Sequence, residues 1–192
     1  MKIFGLTGGI GSGKSVVSEL LGILGVPVYD SDTRSKELCQ TDEKLKKDLI
    51  ELFGPEIFKQ GILDRSAFAD RIFGNEKALN AANALIHPAV KRDFMNWVKE
   101  HRHVPVLVME SAIIFEAGLA PLFDQVICVT APEDIRIKRT CKHRGFTQEA
   151  VKARINNQLS ESKRMALSDI VIVNDDIEAI MPQVKNIFCS YN

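Results

Sequence analysis

Hydrophobic residues fall into two alternating patterns along this chain. The first is a set of short, nearly continuous apolar runs: Lys2-Ile3-Phe4-Gly5-Leu6, Val26-Pro27-Val28-Tyr29, Val104 to Met109, Val126-Ile127-Cys128-Val129 and Ile170-Val171-Ile172-Val173. Each stops at polar or turn-forming residues, and such runs read as strands covered on both faces of a parallel sheet. The second pattern has helical spacing. Leu45, Leu49, Leu52 and Phe53 share one face of a helix opening near Thr41-Asp42. Phe68, Ile72 and Phe73 share another after Asp64, and Val151, Ile155 and Leu159 a third. Ile135 and a basic stretch through Arg144 predict a further helix, and Ile177, Ile180, Val184, Ile187 and Phe188 a closing one. The sum is an α/β, doubly wound parallel sheet of about five strands with helices on both faces.

The stretch 33–103 carries no clear strand and is too long for a simple crossover. It reads as a helical insertion able to hold a second substrate. The stretch 135–160 is helical and basic, which suits a lid closing over phosphates. Residues 1–32, 104–134 and 161–192 remain as the core of a single domain.

The eight residues Gly8 to Ser15 change the picture most. Gly8-Gly9-Ile10-Gly11-Ser12-Gly13-Lys14-Ser15 satisfies G-x-x-x-x-G-K-[ST], placed between a strand and a helix. Glycines let successive N–H groups turn inward around an anion, and the helix N-terminus adds partial positive charge. Lys14 is a point charge for the β- and γ-phosphates, and Ser15 offers a hydroxyl to magnesium. The leading ligand is therefore a nucleoside triphosphate with magnesium.

Ligands of open parallel sheets sit beyond the carboxyl ends of the strands. The polar residues there are Asp30, Asp32, Glu110, Thr130 and Asn174. Asp30 and Asp32 stand at alternating positions of an extended segment, which predicts a shared face. One carboxylate suits magnesium through water and the other a hydroxyl proton. Capping of a helix near Thr33 is the plainer alternative. Glu110, with Glu116 nearby, is a second candidate for water-mediated magnesium binding. Among Arg136, Lys138, Arg139, Lys142, His143, Arg144 and Arg154, the residues Arg139, Arg144 and Arg154 are candidates to grip phosphate oxygens. His87-Pro88 suggests a structural histidine followed by the first turn of a new helix.

Composition narrows the partners. Lys plus Arg and Asp plus Glu number 25 each, so no global charge favours nucleic acid or a membrane surface. Cys39, Cys128, Cys141 and Cys189 form no C-x-x-C pair, excluding a zinc knuckle and fitting a reducing cytoplasm. The N-terminal apolar run is interrupted too early for a signal peptide, and no run approaches the roughly 18 residues of a membrane span. A cytoplasmic monomer or weak homo-oligomer is expected.

Several ordered segments resemble the dephospho-CoA kinase family. They are Gly5 to Ser15; Gly25 to Asp32; Phe53-Gly54 with Gly61-Ile62-Leu63-Asp64-Arg65; Arg71-Ile72-Phe73; His87-Pro88; Arg154-Ile155-Asn156-Asn157-Gln158; and Ser168-Asp169 with Asn174. The resemblance implies a P-loop kinase fold and ATP-dependent phosphorylation of the ribose 3′-hydroxyl of dephospho-CoA, giving CoA and ADP. It implies that Gly11, Ser12, Gly13, Lys14, Ser15 and Val16 hold ATP phosphates. It makes Asp32 the general base, Arg139 the lid arginine on ATP, and Arg65 and His87 residues of the acceptor region. Three positions depart from the family pattern. The segment Glu110-Ser111-Ala112-Ile113-Ile114-Phe115-Glu116 lacks a proline. His143 stands where a second lid arginine is usual, leaving His143 or Arg144 to complete the clamp. Asp175 follows Asn174 in place of glycine. The alternatives are a P-loop kinase of another small metabolite, such as a nucleoside monophosphate or shikimate, and a nucleotide-dependent switch protein. The switch lacks its guanine-reading N-K-x-D segment.

Overall fold

The computed structural model describes residues 1–188 and 191; the Arg144 side chain and Cys189 lie outside the described residues. The chain forms two compact units, one from residues 1–30 and 101–192, the other from residues 31–100.

The first unit is built on five parallel strands: β1 (Lys2–Thr7), β2 (Val28–Asp30), and, with the two strands of the other unit counted in chain order as β3 and β4, β5 (Val106–Glu110), β6 (Gln125–Thr130) and β7 (Ile170–Val173). Their spatial order is β2-β5-β1-β6-β7. The doubly wound sheet expected from the apolar runs is therefore present. β1 lies at the centre, and its carboxyl end is where the order reverses direction. Helix α1 (Lys14–Ile23) follows β1, and α9 (Ile180–Phe188) closes the chain. Val17 and Leu21 of α1 and Val184 and Phe188 of α9 bury one face of the sheet against Phe4, Leu6, Val108, Ile127 and Ile172. The Phe4 and Phe188 rings meet edge-on at 5.2 Å.

The opposite face carries the fully buried Leu107, Met109 and Cys128. Burial pushes the Cys128 thiol up to about 11, which marks it as a core side chain. Here Gly5 has a specific reason. A Cβ on it would lie 2.7 Å from Phe123 Cδ2 and 2.8 Å from Ile114 Cδ1. The absent side chain lets these two residues pack directly on the β1 backbone.

Helices α6 (Glu133–Arg144), α7 (Gln148–Asn156) and α8 (Glu161–Leu167) lie between β6 and β7. The apolar spacing did not reveal α8, and Leu159 falls in the link before it. The closing helix starts at Ile180, leaving Ile177 outside it and 87% exposed.

The second unit holds α2 (Ser31–Thr41), α3 (Glu43–Phe53), α4 (Arg65–Ile72) and α5 (Glu76–Glu100). It also holds an antiparallel hairpin, β3 (Phe58–Lys59) and β4 (Ile62–Leu63), which the apolar pattern did not predict. Two residues per strand are too few for a period to show. The signal lay in the turn: Gln60 and Gly61 both have positive φ, at 52° and 82°, as a two-residue hairpin of this hand requires. Asp42 caps α3 by accepting from Leu45 N at 3.0 Å, and Asp64 caps α4 by accepting from Ser66 N and Ala67 N. Arg34 grips Asp93 with two bonds of 3.0 and 2.8 Å, joining α2 to α5. Pro88 does not open a new helix. It lies inside the 25-residue α5, where its ring removes one N–H from the helical ladder.

Gly5→Ala is expected to destabilise the chain by about 1–3 kcal/mol through overpacking. Chemical denaturation reads this as a lower midpoint. Gly5→Ala with Phe123→Leu should recover part of the loss, whereas strictly additive losses would place the strain elsewhere.

The Asp64 carboxyl is held below its ordinary range by Lys59 and then by the Ala67 N–H. Its contribution is complete above the unfolded carboxylate value of about 4 and is lost as pH falls through the lowered one. Asp64→Asn should lower the melting temperature at pH 7, with the difference from the parent closing in acid.

Candidate active site

The loop between β1 and α1 has the backbone its glycines predict. Gly11 and Gly13 adopt φ of 75° and 94°, a region costly to residues with a Cβ. Ser12 N donates to Gly9 O at 3.2 Å, closing the turn. Gly13 precedes α1, and no side chain caps that helix, so its amide dipole faces the loop. Lys14 Nζ donates to Gly8 O at 2.9 Å, which lays the ammonium along the loop. Ser15 and Val16 are exposed in the first turn.

Acidic groups gather at the adjacent strand ends. Asp30 and Glu110 occupy paired positions of β2 and β5, so their side chains leave the sheet on the same face. Ser18 Oγ donates to Glu110 Oε2 at 2.5 Å. Ser18 is one turn beyond Ser15, so Glu110 borders the helix face that Ser15 begins. A hydroxyl and two nearby carboxylates are hard oxygen donors suited to magnesium, which keeps waters and takes few protein ligands. Among the described residues no group of three or more His, Cys, Asp or Glu forms a dedicated metal cage.

The far side of the loop is held by Asn174 and α6. Asn174 Nδ2 donates to Ser12 O at 2.8 Å. Arg139 donates to Asn174 O and Oδ1, both at 3.0 Å, and to Asp176 Oδ1 at 2.5 Å. Arg139 thus lies beside the loop, with Nη1 4.0 Å from where a Gly13 Cβ would stand. Asp176 itself has φ of 66°, unusual for a residue other than glycine. Arg154 stacks 4.1 Å over Phe146 and donates to Ala150 O. His143 is exposed, and the Arg144 side chain lies outside the described residues.

In the second unit Asp32 is exposed in the first turn of α2, which begins at Ser31. The expected alternation of Asp30 and Asp32 along one extended segment is therefore corrected: Asp30 ends a strand and Asp32 opens a helix. Arg65, at the start of α4, lines a cavity of about 190 Å³ with Ser35, Lys36, Cys39, Phe68 and Ile72. His87 is half-buried in α5, and burial lowers the pKa of its imidazole, favouring the neutral form.

The sequence reading did not single out Arg164 or Glu161. Arg164 is fully buried, and its partner Glu161 is three residues away on α8. A short, mostly polar helix gives no periodic sign of which charge faces inward.

The Dephospho-CoA kinase family model matches residues 2–179. The chain belongs to the dephospho-CoA kinase family. A dephospho-CoA kinase of Porphyromonas gingivalis is 41% identical over 188 residues, covering 97% of this chain and 93% of that one. A solved Thermus thermophilus protein superposes with a TM-score of 0.83 at 31% identity, over 98% of this chain and 95% of that one. The solved dephospho-CoA kinase of Campylobacter jejuni gives 0.73 at 21% identity, over 98% and 96% of the two chains, and supports the fold. The activity is that of an ATP-dependent kinase transferase of coenzyme A synthesis.

Gly13→Ala would strain a left-handed backbone and press a methyl into the Asn174 amide. ATP KM should rise at least about tenfold, the scale of losing a hydrogen-bonded loop geometry. Steady-state kinetics with ATP varied will check it.

Proposed function

We propose that the chain transfers the γ-phosphoryl group of ATP to the ribose 3′-hydroxyl of dephospho-CoA through the residues described above. The observation that carries this reading is the uncapped start of α1 with Lys14 folded along the phosphate loop. Backbone N–H groups of Gly11 to Val16 receive the phosphates. Lys14 offsets charge on the β- and γ-phosphates, and Arg139 supplies further positive charge from beside Gly13. Ser15 would hold magnesium, with Asp30 or Glu110 reaching it through water, and a metal held there would supply charge neutralisation to the transferring group. Asp32 orients the acceptor hydroxyl and takes its proton. Arg65 and His87 belong to the acceptor region, where the apolar wall and cationic rim of the Arg65 cavity suit an anionic substrate with an uncharged arm. The segment 135–160 acts as the lid that excludes water. A cytoplasmic monomer or weak homo-oligomer acting on small molecules completes the reading, in keeping with the biosynthetic family.

A coupled assay with ATP, magnesium and dephospho-CoA tests the reading. CoA and ADP should form together, and folded protein that forms neither would overturn it. Asp32→Asn should lower kcat by about 10²–10⁴, the range for a general base, while ATP binding stays within twofold. Near-parental turnover would remove Asp32 from that role.

A further inference from the structure

Ile10, at the outer bend of the phosphate loop, has both backbone polar groups held by side chains distant in sequence. Gln158 Oε1 accepts its N–H at 2.9 Å, and Arg136 Nε donates to its carbonyl at 3.0 Å. Arg136 is only 3% exposed. Its Nη2 occupies the space that a Cβ on Gly9 would need, and its carbonyl does the same beneath Gly11. Arg136 Nη1 donates to Glu161 Oε2 at 3.0 Å, and the same oxygen accepts from Arg164 Nη1 at 2.9 Å. Arg164 also donates to Leu159 O at 2.9 Å and lies 3.6 Å from Glu116 Oε1, which accepts from Leu159 N.

We infer that Arg136 is a positioning residue for phosphoryl transfer: it fixes the Gly9–Gly11 limb of the loop and, through Glu161, ties it to residues 158–164. The limb carries glycines and has no strand or helix ladder of its own. Without the arginine, its ordering would fall on ATP binding. Arg136 touches neither substrate in this account and acts through the loop backbone. Among the basic residues of α6 it is therefore distinct from Arg139.

The inference rests on the ATP-dependent reading above. An inactive parent enzyme would overturn that reading, whereas an active parent with indifferent variants overturns only this one. Arg136→Met keeps the side-chain volume and leaves Glu161 paired with Arg164. It should raise ATP KM about tenfold, the range for losing charged hydrogen bonds, with dephospho-CoA KM within twofold. Amide hydrogen exchange should speed up across residues 8–16, and Arg136→Lys should restore part of both effects. Glu161→Gln should shift ATP KM in the same direction by a smaller factor. A lower melting temperature for Arg136→Met with parental ATP KM and loop exchange would make the residue merely structural and overturn the inference. Should Arg136→Met not fold, Glu161→Gln decides: parental ATP KM and loop exchange there overturn it.

Discussion

The 2.8 Å bond from the Asn174 side-chain amide to the Ser12 carbonyl joins the two ends of the core. Ser12 lies in the turn after the first strand, and Asn174 follows the last. Both are buried, so losing either partner would leave a polar group without water or protein to satisfy it. Asn174 reaches this place because its own N–H donates to Thr130 O, continuing the pairing of β7 with β6. Its two oxygens then fix Arg139. The end of the last strand, the turn of the loop and the placing of one arginine thus meet at one residue, through both its backbone and its side chain.

The parts of the molecule legible in sequence were those with a repeating physical cause. Continuous apolar runs marked β5 and β6 because those strands are covered on both faces, and the phosphate loop was legible because its glycines meet a backbone demand at Gly11 and Gly13. Asp42 and Asp64 were readable as helix openings because a carboxylate before an apolar period has few other uses. Less legible were features set by packing between remote segments. Gln158, Arg136 and Ile10 meet across about 150 positions, and no local pattern encodes that meeting. The β3–β4 hairpin was too short for periodicity, and α2 began two residues before its expected start, which changed what Asp32 stands on.

Pro88 and Asp176 show the chain accepting local disfavour. Proline inside α5 leaves one carbonyl of the preceding turn without its usual helical donor. Asp176 occupies a left-handed conformation more natural to glycine, yet its carboxylate reaches Arg139. In the second case the compensation is visible: an ion pair with Asp176 and the hydrogen bonds that Arg139 donates to Asn174 hold the guanidinium from one side.

Arg136, Arg164, Glu161 and Glu116 carry two positive and two negative charges, so the cluster beneath the loop sums to zero. Both guanidinium groups are nearly sealed from solvent. Dissolved ions screen charges in water over about 8–10 Å but penetrate such a cluster poorly. The attraction between the loop and a polyphosphate remains exposed to that screening. Ionic strength therefore acts on how often nucleotide arrives and how firmly its charge is held, while the shape that greets it stays the same.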